Sequence, residues 1–216
     1  DYALFAKAAP KIAQELDYAH KSLTAELDAG ARQLEIDVVF DPQGGRYAHP
    51  AIARQTGTTL PAAWTRLMEQ PGFKVLHVPD LDFRSSCVTF RRCLGEIKAW
   101  SKRHPDHAPI MILVNAKDGN AVPGGVPLIP FDEAAFDAFD AEIRSVLPAH
   151  MLVTPDDVQG RYPTLREAVL AGNWPKLGET RGKFYFALDE NEAKVAAYRG
   201  TRKTLEGRVA FVNIDE

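Results

Sequence analysis

The sequence has no run of about eighteen consecutive apolar residues, the length that a bilayer-spanning helix needs. Its opening residues, Asp1 to Lys7, also lack the basic, apolar and small-residue zones of a secretory leader. These absences predict a soluble chain from which any export signal has already gone. No Lys/Arg-rich stretch is interleaved with aromatics, and a formal charge of -3 with a pI of about 6.1 gives no general pull on polyanions, which argues against nucleic acid as a partner. No Gly-x-Gly-x-x-Gly turn follows the first strand-like run, which weakens a dinucleotide-binding reading. Cysteine is scarce. Cys87 and Cys93 are the only two, six positions apart, without a Cys-x-x-Cys spacing or a third ligand that would suggest metal or redox chemistry. Such a pair can close a small loop if the backbone turns between them. The reading is a disulfide in an exported protein, with two free thiols in a cytosolic enzyme as the alternative.

What is present is ordinary for a globular protein: 45% hydrophobic and 25% charged residues in 216, enough for one domain with a sizeable core. Strand-length apolar runs occur at Leu34 to Phe40, Phe73 to Val78, Ile110 to Ala116, Met151 to Thr154, Phe184 to Leu188 and Val209 to Ile214. Amphipathic stretches lie between them, from Ser22 to Gly30, Thr89 to Arg103, Asp132 to Val146, Thr164 to Gly172 and Glu190 to Gly200. This β-α alternation predicts a parallel sheet covered by helices, either as a closed barrel or as an open doubly wound sheet. Six strands fall short of eight, so the expected fold is α/β, a TIM-type (β/α)8 barrel without its first and last strands. Two irregular stretches, Asp41 to Thr59 and Gly119 to Pro130, follow strand ends where barrels carry active-site loops.

The sharpest chemical signal is Leu34-Glu35-Ile36-Asp37-Val38. Period-two alternation puts Glu35 and Asp37 on one face, inside the barrel, and the apolar residues on the other. Two adjacent buried carboxylates demand a cation or a basic partner. Oxygen ligands suit Ca²⁺ or Mg²⁺; the alternative is a pair satisfied by internal Lys or Arg. The next run ends in His77, placed for proton transfer near neutral pH, with Asp80 or Asp82 able to orient it. His49, in the loop after the acid pair, is its competitor, and His20, His104, His107 and His150 read as surface residues. Asn115 and Lys117 share a face at the end of the third run, where an ammonium suits a phosphate or offsets the carboxylates. Asp156, Asp189, Asn213 and Asp215 stand near later strand ends, where an acid is also an ordinary helix cap.

Three stretches, LDAGARQLEIDVVFDPQGGRYAHP, VLHVPDLDFRSSCVTFRRCLGEIKAWSKRHPDHAPIMILVNAKD and WPKLGETRGKFYFALD, resemble the calcium-dependent phosphatidylinositol-specific phospholipases C of microbes, relatives of the eukaryotic phosphoinositide enzymes' catalytic barrel. The resemblance implies that Glu35 and Asp37 are Ca²⁺ ligands and that His77 is the catalytic acid. Asn115 falls where the related eukaryotic barrels supply a carboxylate, so it becomes a third ligand with less charge. Cys87 and Cys93 match the family's paired cysteines, while Lys117 and His49 stand, by their own positions in the sequence, as substrate-binding candidates. The family's opening Gly-Thr-His-Asn-Ser-Tyr-like motif, with its general base and a further calcium ligand, has no counterpart in the chain. The expectation is therefore a single catalytic domain over residues 1–216, incomplete at both ends. It would be a secreted monomer acting on a phospholipid headgroup at a membrane surface. Rival readings are a glycerophosphodiester phosphodiesterase, dependent on His49, and a catalytically degenerate binder of inositol phosphates or lipid headgroups.

Overall fold

The computed structural model describes residues 6, 10–15, 17–120 and 122–213 of the chain. Asp215 and the end of the last expected strand at Ile214 lie outside the described residues, as do Asp1 and Ala121. In chain order the elements are α1 (Pro10–Glu15), α2 (Leu23–Asp28), β1 (Gln33–Val39), α3 (Ala51–Thr56), α4 (Ala62–Met68), β2 (Lys74–Val75) and α5 (Phe90–Arg103). They continue with β3 (Ile110–Ala116), α6 (Glu133–Val146), a 3-10 turn (Ala149–Met151), α7 (Pro155–Gln159), α8 (Leu165–Leu170) and α9 (Leu177–Thr180). β4 (Phe184–Leu188), α10 (Glu192–Arg199) and β5 (Ala210–Val212) complete the order.

Alternation sets the strands. β1 buries Leu34, Ile36 and Val38, β3 buries Ile110, Ile112, Val114 and Ala116, and β4 buries Phe184, Phe186 and Leu188. Short polar side chains set the helix starts. Ser22, Thr89, Asp132 and Thr164 each accept a hydrogen bond from a backbone N–H three residues on, and Asn191 does the same for α10. The buried strand face and the helices α2, α5 and α6 enclose the main core, where Phe73 packs on Phe40, Phe131, Phe90 and Phe139. Each large side chain buried there stabilises the fold by about 1.5–3 kcal/mol. A smaller cluster of Val39, Tyr47, Met68, Leu76 and Phe83 gathers under α3 and α4.

The sheet order is β2-β1-β3-β4-β5, with β1, β3, β4 and β5 parallel. Among the described residues it is an open sheet with β2 and β5 at its edges, which has the expected α/β layering and does not close on itself. Two expected strands are also corrected. Phe73 to Val78 contributes only two ladder residues, antiparallel to β1, because the chain turns at Val78–Asp82, where Pro79 has no N–H and Asp80 takes φ 70°. Met151 to Thr154, bracketed by Pro148 and Pro155, is reduced to the end of a 3-10 turn and one bridge, Leu152 to Phe184. The stretch from Asp41 to Thr59 is not wholly irregular, since α3 lies within it and ends on Gly57 at φ 66°, a left-handed position that suits glycine.

Several buried charges are paired. Lys74 Nζ lies 3.1 Å from Asp41, both shielded from water, with burial pulling the ammonium's pKa down against Asp41. Arg208 meets Asp137 at 2.6 Å and Asp140 at 3.3 Å beneath the ring of Tyr198. His107, expected at the surface, is buried: Nε2 contacts Ser101 Oγ at 2.8 Å and Nδ1 the Ala108 carbonyl at 2.6 Å. His104 and His150 are exposed, His104 stacking on Trp100.

Candidate active site

A cleft of about 770 Å³ opens beside β1, the turn after β2 and the segment leading into α2. Glu35 and Asp37 line it together because two residues along a strand return to the same face. Neither acid is deeply buried: Glu35 is exposed and Asp37 half-buried. Asp37 stands in register with Asn115 on β3. Lys117, one step beyond the strand, brings Nζ to 3.3 Å from Asp37 Oδ1. That oxygen is shielded from water and accepts no hydrogen bond, so the ammonium is a charge neighbour without a directed bond. A basic partner thus answers Asp37, while no ion pair involves Glu35 among the described residues.

The donor set bears on a cation. Among the described residues no three His, Cys, Asp or Glu side chains cluster as a metal site. The carboxylates of Glu35 and Asp37, with the Asn115 amide in register beside Asp37, are of the donor type that a hard cation such as Ca²⁺ takes, which binds about six to eight oxygens and accepts water or substrate for the rest. The unmet Asp37 Oδ1 is the observation that supports the fit, and Lys117 is the competitor for it.

His77 lies in the bend just past β2 and faces the same cleft. Its Nδ1 is 2.9 Å from Asp82 Oδ2, so Asp82, not Asp80, orients the ring. Asp80 turns the other way: its carboxylate accepts from the backbone N–H groups of Ala51 and Val126, each at 2.7 Å. Tyr18, which no sequence pattern marked, places its hydroxyl 3.2 Å from His77 Nδ1. His20 lines the same cleft, solvent-exposed, 3.9 Å from Glu26. His49 lines a separate hollow of about 420 Å³ with Arg54 and Thr65, apart from the acids and His77.

Cys87 and Cys93 form a disulfide with their Cα atoms 5.2 Å apart, which joins the cleft wall at Cys87 to the first turn of α5. Free thiols are set aside. Behind β3, Lys194 contacts Asp118 and Glu190, each at 2.9 Å, and the Ala116 carbonyl. This anchors the strand end between Asn115 and Lys117, and the two carboxylates outweigh burial to hold the Lys194 pKa up. The later candidates serve the framework: Asp156 accepts from Gly207 N–H, and Asn213 exchanges hydrogen bonds with the Glu190 backbone. Asp189 is exposed.

No curated protein matches the chain. Among solved structures it is similar to a calcium-dependent phosphoinositol-specific phospholipase C from a Gram-negative bacterium, Pseudomonas sp, at 18% identity and a TM-score of 0.60, over 89% of this chain and 59% of that one. It is similar also to a Ca²⁺-dependent phosphatidylinositol-specific phospholipase C from Streptomyces antibioticus, at 26% identity and a TM-score of 0.58, over 87% of this chain and 58% of that one. The first likeness bears on the fold alone. The chain spans less than two thirds of the length of either. The model of one family, the Ca²⁺-dependent phosphoinositide phospholipases C, matches residues 2–216, nearly every residue present, and on that match the chain belongs to this family.

Proposed function

We propose that this chain is the catalytic part of a phosphoric diester hydrolase that splits phosphatidylinositol into diacylglycerol and a cyclic inositol phosphate. Family membership supports the reading, and one observation carries it: Glu35, Asp37 and His77 line the same cleft, with His77 already held by a carboxylate. The inositol 2-hydroxyl is an internal nucleophile, favoured by proximity to the phosphorus. The hydroxyl releases its proton to water as its oxygen bonds to phosphorus and the bond to the diacylglycerol oxygen breaks, and that leaving alkoxide takes up a proton in turn. His77 supplies it. With Nδ1 turned to Asp82, Nε2 is the nitrogen left to face the leaving oxygen, and the carboxylate stabilises the imidazolium.

Glu35, Asp37 and Asn115 are the residues that would hold Ca²⁺. Bound there, the ion would supply positive charge that acidifies a ligated hydroxyl and neutralises charge on the phosphoryl oxygens. Lys117, beside Asp37, adds an ammonium that suits a phosphate oxygen. The disulfide fits a protein exported to an oxidising compartment, where it would act as a monomer on lipid at a membrane surface. A glycerophosphodiesterase reading would need His49, which stands in the other hollow.

The test is His77→Ala on two substrates. Turnover of phosphatidylinositol should fall about 10²–10⁴-fold, the usual worth of a general acid, while a diester with a good leaving group loses far less. Equal losses on both would remove His77 from the acid role.

A further inference from the structure

Tyr18 belongs to none of the motifs in the sequence, yet its hydroxyl meets the His77 imidazole and the Asp82 carboxylate together. Tyr18 Oη lies 3.2 Å from His77 Nδ1 and 3.5 Å from Asp82 Oδ2, while Nδ1 and Oδ2 are 2.9 Å apart. Three polar atoms thus close a triangle.

The protons fit that triangle in one arrangement. A carboxylate oxygen at 2.9 Å requires a proton on Nδ1, because a bare ring nitrogen would set one acceptor against another. With Nδ1 as a donor, the Tyr18 O–H cannot donate to it and donates to Asp82 Oδ2 instead, its lone pairs facing Nδ1–H. The phenol stays a donor, since burial, followed by the charges of Asp82 and Asp37, raises its pKa above the ordinary value. A third group matters because the pair is open to water: the side chains of His77 and Asp82 are 43% and 26% exposed. A hydrogen-bonded pair that open holds its own geometry only weakly. Tyr18 itself rests its ring edge-on against His20, at 5.1 Å between centroids, on the segment that leads to the Ser22 cap of α2.

We infer that Tyr18 is a positioning residue for the His77 general acid: it holds Asp82 against Nδ1, keeps the ring proton there, and so leaves Nε2 to the substrate. The inference rests on the acid role proposed for His77.

The experiment compares the present chain with Tyr18→Phe, Asp82→Asn and the double variant. Nitrogen-15 imidazole spectra above about pH 8, past the ordinary histidine range, read the tautomer without any need for turnover. The unaltered chain should hold His77 as the Nδ1–H form, and Tyr18→Phe should shift the population towards Nε2–H with the remaining imidazole signals unmoved. An unchanged His77 spectrum overturns the inference. On phosphatidylinositol vesicles, Tyr18→Phe should lower kcat about three- to tenfold with KM unchanged, and add nothing once Asp82→Asn is present, as expected of groups acting as one unit. Losses that multiply would place Tyr18 on some group other than Asp82 and also overturn it. Turnover that survives His77→Ala would instead overturn the acid role, and the tautomer spectra would still judge Tyr18.

Discussion

Asp80 accepts a 2.7 Å hydrogen bond from the backbone N–H of Val126, 46 residues away. Its other oxygen takes the Ala51 N–H at the same distance, so one buried carboxylate ties both long connections to the turn that carries His77. The packing is close: a Cβ at Gly125 would come within 2.7 Å of Asp80 Oδ2. Asp80→Ala would leave two N–H groups without an acceptor, at about 1–3 kcal/mol each when buried. Urea unfolding should show a loss of about 2–6 kcal/mol. A change below about 0.5 kcal/mol, the usual size for an exposed site, would mean that the clasp does not hold the loops together.

The contact between Lys117 and Asp37 makes a prediction for Ca²⁺. At 3.3 Å the ammonium repels a cation seated on the same oxygen. Even in water two unit charges about 4 Å apart interact by about 1 kcal/mol, roughly fivefold in affinity. Calorimetric titration of Lys117→Met should therefore show Ca²⁺ binding tighter by about fivefold or more. Asp37→Asn should abolish it. Unaltered binding in Asp37→Asn would take Asp37 out of the ligand set.

Glu142 predicts a pH dependence of stability. Burial raises its carboxyl pKa, against the lowering effects of the Phe73 N–H, Arg91 and Lys74. The folded state thus holds this proton more tightly than the unfolded chain does. The stability that results is complete below the ordinary value of 4.5 and is lost as pH climbs through the raised folded value. Glu142→Gln keeps an acceptor for the Phe73 N–H and carries no charge. Its Tm should exceed that of the unaltered chain at pH 7, with the difference vanishing below the window. A constant difference at all pH values would assign the effect to packing.

Local features of the fold were legible. Ser22, Thr89, Asp132 and Thr164 announce helices because a cap needs only a side-chain oxygen and an N–H three residues on. Glu35 and Asp37 share a face because a strand repeats every two residues. The pairing of Cys87 with Cys93 was legible as one of two options, since six residues suffice to turn the chain back. Where locality failed, so did the reading. Phe73 to Val78 carries the apolar pattern of a parallel strand, yet after Val75 the chain bends away, and the two residues that pair with β1 run antiparallel.

The chain's own order of residues determined β1, β3 and β4, the caps and the set of acids and histidines from which a site can be made, because each depends on neighbours within a few positions. Only the tertiary structure decided that Asp82 rather than Asp80 meets His77, that Tyr18 joins them across 59 residues, that His107 is buried and that His49 stands apart. Those choices rest on packing between distant segments, where a turn of one residue redirects a side chain, and no periodicity along the chain encodes that.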